Sequence, residues 1–409
     1  MVKICDEKMC CGCTACFSIC PNSAIEIISD KYGFKKPMIN PEKCINCKLC
    51  QKVCPINKKL EFKETNCTWA AKAEDKNTRQ KSQSGGAFAV LANEVLKNGG
   101  VVYGVSSDKT NVKYQRVENL QELELLKKSK YVQADIIGTH KCVARDLINN
   151  KKVLFSGTPC YVASILSYLS IRKISIENLI TIDLICYGVP SPRLYEEYLQ
   201  LEEKIKGKKI VDFVFRDKEW SLNEKYSKIT WENSKQETLT NGYLRLFSTK
   251  LATRQSCLEC VFAKSERISD ITIGDYWGIE KIKPEFDDNK GVSVIICHSQ
   301  KGRSLFESVK NSFILFETSF LDAQKKQLAL TRPSGVSKQY DDFWNEYLQN
   351  GLSYVLKKYC DYDTSCHINV QGKKILTLDK HFLYSHLRGT VKNYLPNAAR
   401  PFLRRILRK

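Results

Sequence analysis

Two cysteine runs near the N-terminus have the residue types and the spacing of iron–sulfur ligands. In each run three cysteines are separated by two residues, a fourth follows after three more, and proline comes next. The runs are Cys10-x-x-Cys13-x-x-Cys16-x-x-x-Cys20-Pro21 and Cys44-x-x-Cys47-x-x-Cys50-x-x-x-Cys54-Pro55. In bacterial two-cluster ferredoxins the fourth cysteine of each run reaches the other cluster. The pattern therefore predicts two 4Fe–4S clusters, held by Cys10, Cys13, Cys16 and Cys54 and by Cys44, Cys47, Cys50 and Cys20.

Zinc is the main alternative metal that closely spaced cysteines could bind. Structural zinc sites usually combine two pairs of ligands, often with histidine. Here two identical quartets occur, and no histidine precedes His140, so the pattern favours iron–sulfur clusters. Cys5, Cys11 and Cys67 fall outside the spacing. We interpret Cys11 as a bystander beside Cys10, with a one-residue shift of register between these two as the alternative.

A second, dispersed set of cysteines lies in the middle of the chain. Cys257-x-x-Cys260 has ligand spacing, and Cys160 and Cys186 each follow a predicted strand. Parallel neighbouring strands would bring those two ends to the same edge of a sheet, where four thiolates could enclose a third 4Fe–4S cluster. A zinc site, a redox-active Cys257/Cys260 pair and unrelated buried cysteines remain as alternatives.

Two loops have features of ligand-binding turns. Gln83-Ser84-Gly85-Gly86 directly precedes a predicted helix, where free backbone amides favour an anion; a plain serine N-cap is the alternative. Ser156-Gly157-Thr158-Pro159-Cys160 follows a buried strand, the position at which α/β sheets place ligands. An ordinary strand–helix turn, with Pro159 as the first helical residue, explains the second loop equally well.

Helix-like and strand-like segments alternate from about residue 63, which indicates parallel βαβ units. Strand-rich segments after residue 210 need not share the same sheet. We predict an α+β or mixed α/β chain with three parts. These are a two-cluster ferredoxin domain at 1–62, a mixed α/β domain at 63–330, for which the family resemblance described below implies flavin binding, and a helical extension with a basic amphipathic tail at 331–409.

Composition restricts the class of protein. The chain has 409 residues, 19 cysteines and a formal net charge of +20. Closely spaced cysteines favour metal ligation in a reducing compartment over a disulfide framework. Neither a secretory signal nor a membrane-spanning run is evident, so we expect a cytoplasmic protein. The basic tail at 396–409 suggests peripheral contact with the anionic inner face of a membrane. No nucleic-acid motif accompanies the positive charge, and we expect no nucleic-acid partner.

Several segments, in the same order, resemble the coenzyme F420 hydrogenase/dehydrogenase beta-subunit family with a fused ferredoxin domain. The resemblance covers about residues 80–300. Its segments are SQSGGAFAVLANEVLKNGGVVYGV, KYVQADIIG, KKVLFSGTPCYVASI, TIDLICYGVPSP, FRDKEW, RQSCLECVFAK, RISDITIGDYWGI and KGVSVII. One departure is Tyr187, where the family pattern leads us to expect histidine; its absence weakens any transfer of mechanism.

The resemblance implies FAD, iron–sulfur clusters and electron transfer to a hydride carrier or reducible substrate. By motif, it makes Cys160, Cys186, Cys257 and Cys260 the ligands of a third cluster. The flavin-site candidates that it implies are Ser84, Gly85, Gly86, Thr158, Gly274 and Asp275. It assigns no catalytic residue.

The resulting hypothesis is an iron–sulfur flavin oxidoreductase. Its expected partners are a redox protein or ferredoxin and either a deazaflavin or another small substrate. A non-catalytic electron-transfer module that docks on a larger oxidoreductase is one alternative. A reductase associated with cell-surface polysaccharide synthesis is another.

Overall fold

The computed structural model describes residues 2–218 and 226–362. The predicted basic tail at 396–409 lies outside these residues. None of the helices in the described ranges combines the length and the apolar character that a transmembrane helix requires.

The N-terminal module repeats one local structure around each cysteine run. Helix α1 (Ala15–Ile19) follows the first run and α2 (Leu49–Val53) the second. The residues before them, Thr14 and Lys48, are both left-handed, with φ of 58° and 60°. Between the runs, β1 (Ile25–Ser29) and β2 (Lys35–Ile39) form an antiparallel hairpin. Identical cysteine spacing thus produces the same backbone path twice.

The remaining strands form two further sheets. In chain order they are β3 (Cys67–Ala73), β4 (Val101–Asp108), β5 (Asn111–Val117), β6 (Val153–Gly157), β7 (Leu179–Leu184), β8 (Ile210–Val214), β9 (Tyr226–Trp231), β10 (Gln236–Thr240), β11 (Ile271–Asp275), β12 (Ser293–Cys297) and β13 (Phe313–Thr318). The large sheet has eight strands in the order β13-β3-β12-β11-β7-β6-β4-β5. Strands β4, β6 and β7 are parallel, as predicted, and β11, one of the later segments whose sheet the sequence left open, joins them in parallel. Antiparallel strands flank these four on both sides.

The remaining helices pack on the two faces of the large sheet or on the small sheet. In chain order they are α3 (Lys76–Lys81), α4 (Ala87–Lys97), α5 (Leu120–Leu126), α6 (Thr139–Ile148), α7 (Pro159–Ile171), α8 (Pro192–Lys206), α9 (Gly242–Thr249), α10 (Gln255–Leu258), α11 (Ile279–Ile282), α12 (Gln300–Ser308), α13 (Phe320–Gln324) and α14 (Tyr340–Cys360). Alternate strand residues point to opposite faces. One face, with Val102 and Leu154, packs on α4, α5 and α12. The other, with Val101 and Phe155, packs on α6 and α7.

The N-terminal module packs on the outside of α7. Ile19 and Val53 share a hydrophobic core with Ile165 of that helix. The hydroxyl of Ser167 also donates a hydrogen bond to the carbonyl of Val53 at 2.8 Å. These contacts place the first cysteine run beside the edge of the sheet at which β6 and β7 end.

Strands β8, β9 and β10 form a separate antiparallel sheet, so the later strand-rich segments divide between two sheets. Helix α14 packs in the same core as this small sheet, through Phe343 and Trp344. The ring of Trp344 also lies 4.5 Å from that of Tyr32 in the N-terminal hairpin. The described part of the predicted extension therefore joins the small sheet to the N-terminal module.

Candidate metal centres and cofactor cavity

The structure brings the eight N-terminal cysteines together in the two predicted quartets. One small cavity is lined by Cys10, Cys13, Cys16 and Cys54. A second is lined by Cys20, Cys44, Cys47 and Cys50. The fourth cysteine of each run thus crosses to the cavity of the other, as the two-cluster spacing requires.

Backbone groups around these thiols suit anionic sulfur. The amides of Phe17 and Ile56 donate towards the sulfurs of Cys16 and Cys54, and the amide of Ala24 lies 3.3 Å from Sγ of Cys20. Such donors favour the deprotonated ligand. The described residues contain no group of three or more His, Cys, Asp or Glu side chains arranged around a single metal-ion position. The thiols instead surround cavities, and the donor set fits 4Fe–4S clusters.

Gly12 allows the first run to pack closely against the rest of the protein. Its φ is +67°, and a Cβ there would lie 2.5 Å from Nε2 of Gln133 and 2.9 Å from the carbonyl oxygen of Lys35. Only glycine combines this left-handed conformation with so close an approach. The first cavity therefore depends on contacts that lie outside the ferredoxin-type motif.

Cys5 and Cys11 lie beside the first quartet, although they fall outside its spacing. The thiol of Cys5 contacts those of Cys10 and Cys54. The thiol of Cys11 contacts those of Cys13 and Cys160, and Cys11 lines both the first small cavity and the large cavity described next. Its position between two cysteine sets has no counterpart in the linear pattern.

A large cavity of about 530 Å³ opens at the carboxyl ends of β6, β7 and β11. Because β6 and β7 are adjacent and parallel, the segments after them, with Cys160 and Cys186, meet at one edge. Cys257 and Cys260, from α10 and the turn after it, complete that wall. The structure thus brings the four dispersed cysteines together, as the sequence predicts.

The four thiols of this wall are buried and influence one another. Burial, together with the neighbouring thiols of Cys186 and Cys260, raises the pKa of Cys257. Contact with Cys11 and burial raise the pKa of Cys160 well above that of an ordinary thiol. Such thiols become thiolates when a metal compensates their charge. The donor set fits a third cluster.

The six predicted flavin residues lie around this cavity, with one exception. Ser84, Gly86, Thr158, Gly274 and Asp275 line it. Gly85 is instead packed against the sheet, where its amide donates to Oγ of Ser293 at 2.9 Å. A Cβ at Gly85 would lie 2.1 Å from the carbonyl oxygen of Ala71. Its role is close packing of the loop on the sheet.

The loop before α4 is held by hydrogen bonds. The hydroxyl of Ser84 donates to the carbonyl of Val292 at 2.8 Å, and Nζ of Lys218 donates to the carbonyl of Ser84 at 2.5 Å. Burial lowers the pKa of Lys218 to about 8. Gly86 precedes α4 with φ of 90°, and no side chain caps this helix. The first amides of α4 therefore face the cavity region without a side-chain acceptor of their own.

Basic side chains also line the cavity. They are Lys127, Lys128, Lys130, Arg216, Lys250 and Arg267. Nζ of Lys130 donates to the carbonyls of Lys127 and Leu125 at 2.6 and 3.1 Å, and burial lowers the pKa of Lys130 to about 7. The cationic lining suits an anionic ligand. The run KKSK at 127–130 is a sequence signal for part of this lining, although it is equally typical of the basic end of a helix.

The comparisons with known proteins agree with this arrangement. Residues 9–58 match the model of the 4Fe-4S dicluster domain. Residues 150–319 match the model of the C-terminal part of the beta subunit of coenzyme F420 hydrogenase/dehydrogenase. The chain thus carries a region that is similar to this beta-subunit family. The family predicted from the motifs is confirmed, and the two domains together support an iron–sulfur oxidoreductase that transfers electrons.

Individual relatives resemble parts of the chain. An uncharacterized polyferredoxin-like protein of Methanocaldococcus jannaschii is 43% identical over 58 residues, which cover 12% of this chain and 34% of that protein. This chain thus matches about a third of the length of that relative. Among solved structures, a chain of the F420-reducing NiFe hydrogenase complex from Methanosarcina barkeri is 13% identical. The match has a TM-score of 0.45 and covers 73% of this chain and 92% of the hydrogenase chain.

Tyr187, where the beta-subunit family leads us to expect histidine, lines the large cavity. Its hydroxyl donates to Oε1 of Gln327 at 2.7 Å, and the amide of Gln327 donates to the carbonyl of Asp275. Burial raises the pKa of Tyr187 to about 12. At neutral pH the phenol is therefore a hydrogen-bond donor and a poor source of protons.

Neither described histidine lies at a cavity. His140 is buried between the hydroxyls of Ser18 and Ser164, at 3.3 and 3.0 Å, and His298 contacts the hydroxyl of Thr272 at 2.9 Å. Burial lowers the pKa of both imidazoles to about 3. Both rings are neutral structural groups in the described fold.

Proposed function

We propose that this chain is an iron–sulfur flavoprotein that passes electrons between 4Fe–4S clusters and a hydride carrier or small organic substrate at FAD. One observation carries the proposal: four cysteines and the candidate flavin residues line the same cavity. A cluster on one wall would lie next to a cofactor held by the other. The cavity volume of about 530 Å³ is within the range of small-molecule sites.

The cavity residues divide into two groups by chemistry. Cys160, Cys186, Cys257 and Cys260 would hold the third cluster. The uncapped N-terminus of α4 and the lysine side chains at 127–130 would bind the phosphates of FAD, since helix N-termini and lysine amines both offer N–H donors to anions. Asp275 is paired with Arg216, whose Nη1 lies 2.7 Å from its Oδ2. This ion pair would orient the bound group from the opposite side.

FAD, when bound, supplies exchange between one-electron carriers and a two-electron hydride acceptor. The protein's part is to hold the redox centres close together and to exclude water. The phenol of Tyr187 offers a fixed hydrogen-bond donor at the cavity wall, and Gln327 holds it in place. The substrate belongs either to the deazaflavins of the family or to another class of small reducible molecule.

Exposure indicates where electrons enter. Cys47 of the second quartet is exposed, whereas Cys13, Cys16 and Cys54 of the first are buried. Ile45, beside Cys47, is 61% exposed, and the surrounding Lys43 and Lys48 are exposed as well. We propose that a small acidic redox protein docks here. The electron path then runs from the second cluster through the first to the third.

The test is the cofactor content of the full chain after anaerobic purification. Three clusters and one flavin predict about twelve irons per chain and one released FAD. The Cys257→Ser variant should lose about four irons, whereas the control Cys142→Ser, at a cysteine outside all three sets, should lose none. About eight irons without flavin in the unmodified chain would contradict the flavoprotein proposal and favour the electron-transfer module.

A further inference from the structure

Arg254 lies between the first cysteine quartet and the large cavity. Arg254 is buried, with 4% of its surface exposed. Its Nε donates to the carbonyl of Cys10 at 2.7 Å, and its Nη1 donates to Oε1 of Gln133 at 3.3 Å. Gln133 in turn donates through Nε2 to the carbonyl of Cys11 at 3.2 Å. The two side chains together hold the consecutive carbonyls of Cys10 and Cys11.

The same arginine is tied to the third cysteine set. The amide of Cys257 donates to the carbonyl of Arg254 at 2.9 Å, and the amide of Arg254 donates to the carbonyl of Val189 at 3.0 Å. Meanwhile the Cys11 thiol contacts that of Cys160. One residue therefore connects the loop of the first quartet with the turn that supplies Cys257 and Cys260.

The surroundings of this guanidinium are unusual for a buried charge. Within the part of the chain that the structure describes, no carboxylate pairs with Arg254. Burial opposes its charge, but the thiols of Cys10, Cys11 and Cys257 raise its pKa. The ring of Phe34 lies 5.4 Å away. Burying a cation is costly unless anionic groups compensate it. Cysteine-ligated clusters on both sides would supply that negative charge.

We propose that Arg254 is a positioning residue for electron transfer, which holds the Cys10–Cys11 segment between the first and third clusters and stabilises their reduced states. This inference rests on the proposed function, since it requires both clusters. In the step concerned, one electron leaves the first cluster, which is oxidised, and enters the third, which is reduced. No bond forms or breaks. The reduced cluster carries the greater negative charge, so a fixed cation raises its reduction potential.

The experiment compares reduction potentials of the clusters in the full chain, measured by redox titration with electron paramagnetic resonance detection. Arg254→Gln removes the charge and Arg254→Lys keeps it. The control is Lys72→Gln, which removes a buried cation that donates instead to the carbonyl of Phe286. In Arg254→Gln the ratio of reduced to oxidised protein should fall at least tenfold for the first cluster and for the third, measured at a fixed potential. That change corresponds to a reduction potential lower by 59 mV for one electron. Arg254→Lys and Lys72→Gln should remain near the unmodified protein.

The outcomes separate this inference from the proposed function. Without clusters in the unmodified chain, the proposed function itself fails. If Arg254→Gln keeps all its iron and its potentials do not change, the inference is overturned while the proposed function stands. If Arg254→Gln loses iron, the result for Arg254→Lys decides. An Arg254→Lys protein that retains its iron and its potentials supports the role of charge. An Arg254→Lys protein that also loses the first cluster overturns the inference.

Discussion

Arg216 and Asp275 form an ion pair in the wall of the large cavity, with Nη1 2.7 Å from Oδ2. The guanidinium also lies 5.5 Å from the ring of Trp277, another residue of that wall. The pair joins the end of β11 to the segment that follows β8. Nη1 of Arg216 also donates to the hydroxyl of Tyr131 at 2.9 Å. A ligand in the cavity would therefore contact a wall that these side chains shape together.

Asp275→Asn should weaken flavin retention. Loss of one charge leaves Arg216 partly uncompensated, and we expect the free energy of unfolding to fall by about 1–3 kcal/mol. Asp146→Asn is the matched control, since Asp146 accepts from Arg116 and Tyr103 at 2.6 Å away from the cavity. Both variants should lose stability in denaturant titrations, but only Asp275→Asn should release FAD on gel filtration. Equal flavin retention by the two would contradict a role of Asp275 in the cofactor site.

Gly12→Ala should disrupt the first cluster. The substitution adds a Cβ at φ +67° and within 2.9 Å of two neighbouring residues. Gly138→Ala is the control, because Gly138 has a similar φ of +83° but no atom within 4 Å of the added Cβ. The left-handed backbone should lower the free energy of unfolding of both variants by about 1 kcal/mol. Overpacking should lower that of Gly12→Ala by roughly a further 1–3 kcal/mol. Iron analysis should show a loss of about four irons in Gly12→Ala alone.

Charge reversal beside the exposed quartet should slow reduction by an acidic carrier. We expect Lys43→Glu and Lys48→Glu each to lower the association rate severalfold at low salt, with the difference vanishing as ionic strength screens the charges. Lys97→Glu makes the same change at the end of α4, on the other face of the large sheet. Stopped-flow kinetics with an acidic ferredoxin measures the rates. A control as slow as the two test variants would rule out docking at this surface.

Cys67 should be a reactive thiol outside the cluster sets. It lies opposite Cys297 across β3 and β12, and contact with that thiol, which outweighs its partial burial, lowers the pKa of Cys67 to about 6. The thiolate is the nucleophile, so alkylation of Cys67 should rise through pH 6 and level off above pH 7. Cys297→Ser should weaken that contact and move the midpoint towards higher pH. Mass spectrometry after iodoacetamide treatment of the clustered protein measures both, and an unchanged midpoint in the variant contradicts the assignment.

The local chemistry could be derived from the sequence alone. The eight ferredoxin-type cysteines lie in two short runs, and the left-handed Thr14 and Lys48 give each run the same turn. Their pairing into two quartets follows from the spacing, because in two-cluster ferredoxins the fourth cysteine of each run serves the other cluster. The parallel arrangement of β6 and β7 was also predictable, since buried strands joined by a helix pair in parallel.

The tertiary structure decided which distant groups meet. Cys257 and Cys260 reach Cys160 and Cys186 only because α10 lies against the ends of β6 and β7. Packing also placed Gly85 against the sheet and outside the cavity, contrary to its expected contact with a ligand. The positions of Cys11 and Arg254 depend on how the N-terminal module packs on α7. Linear spacing carries no information on such contacts, because they arise from burial of surfaces contributed by separate elements.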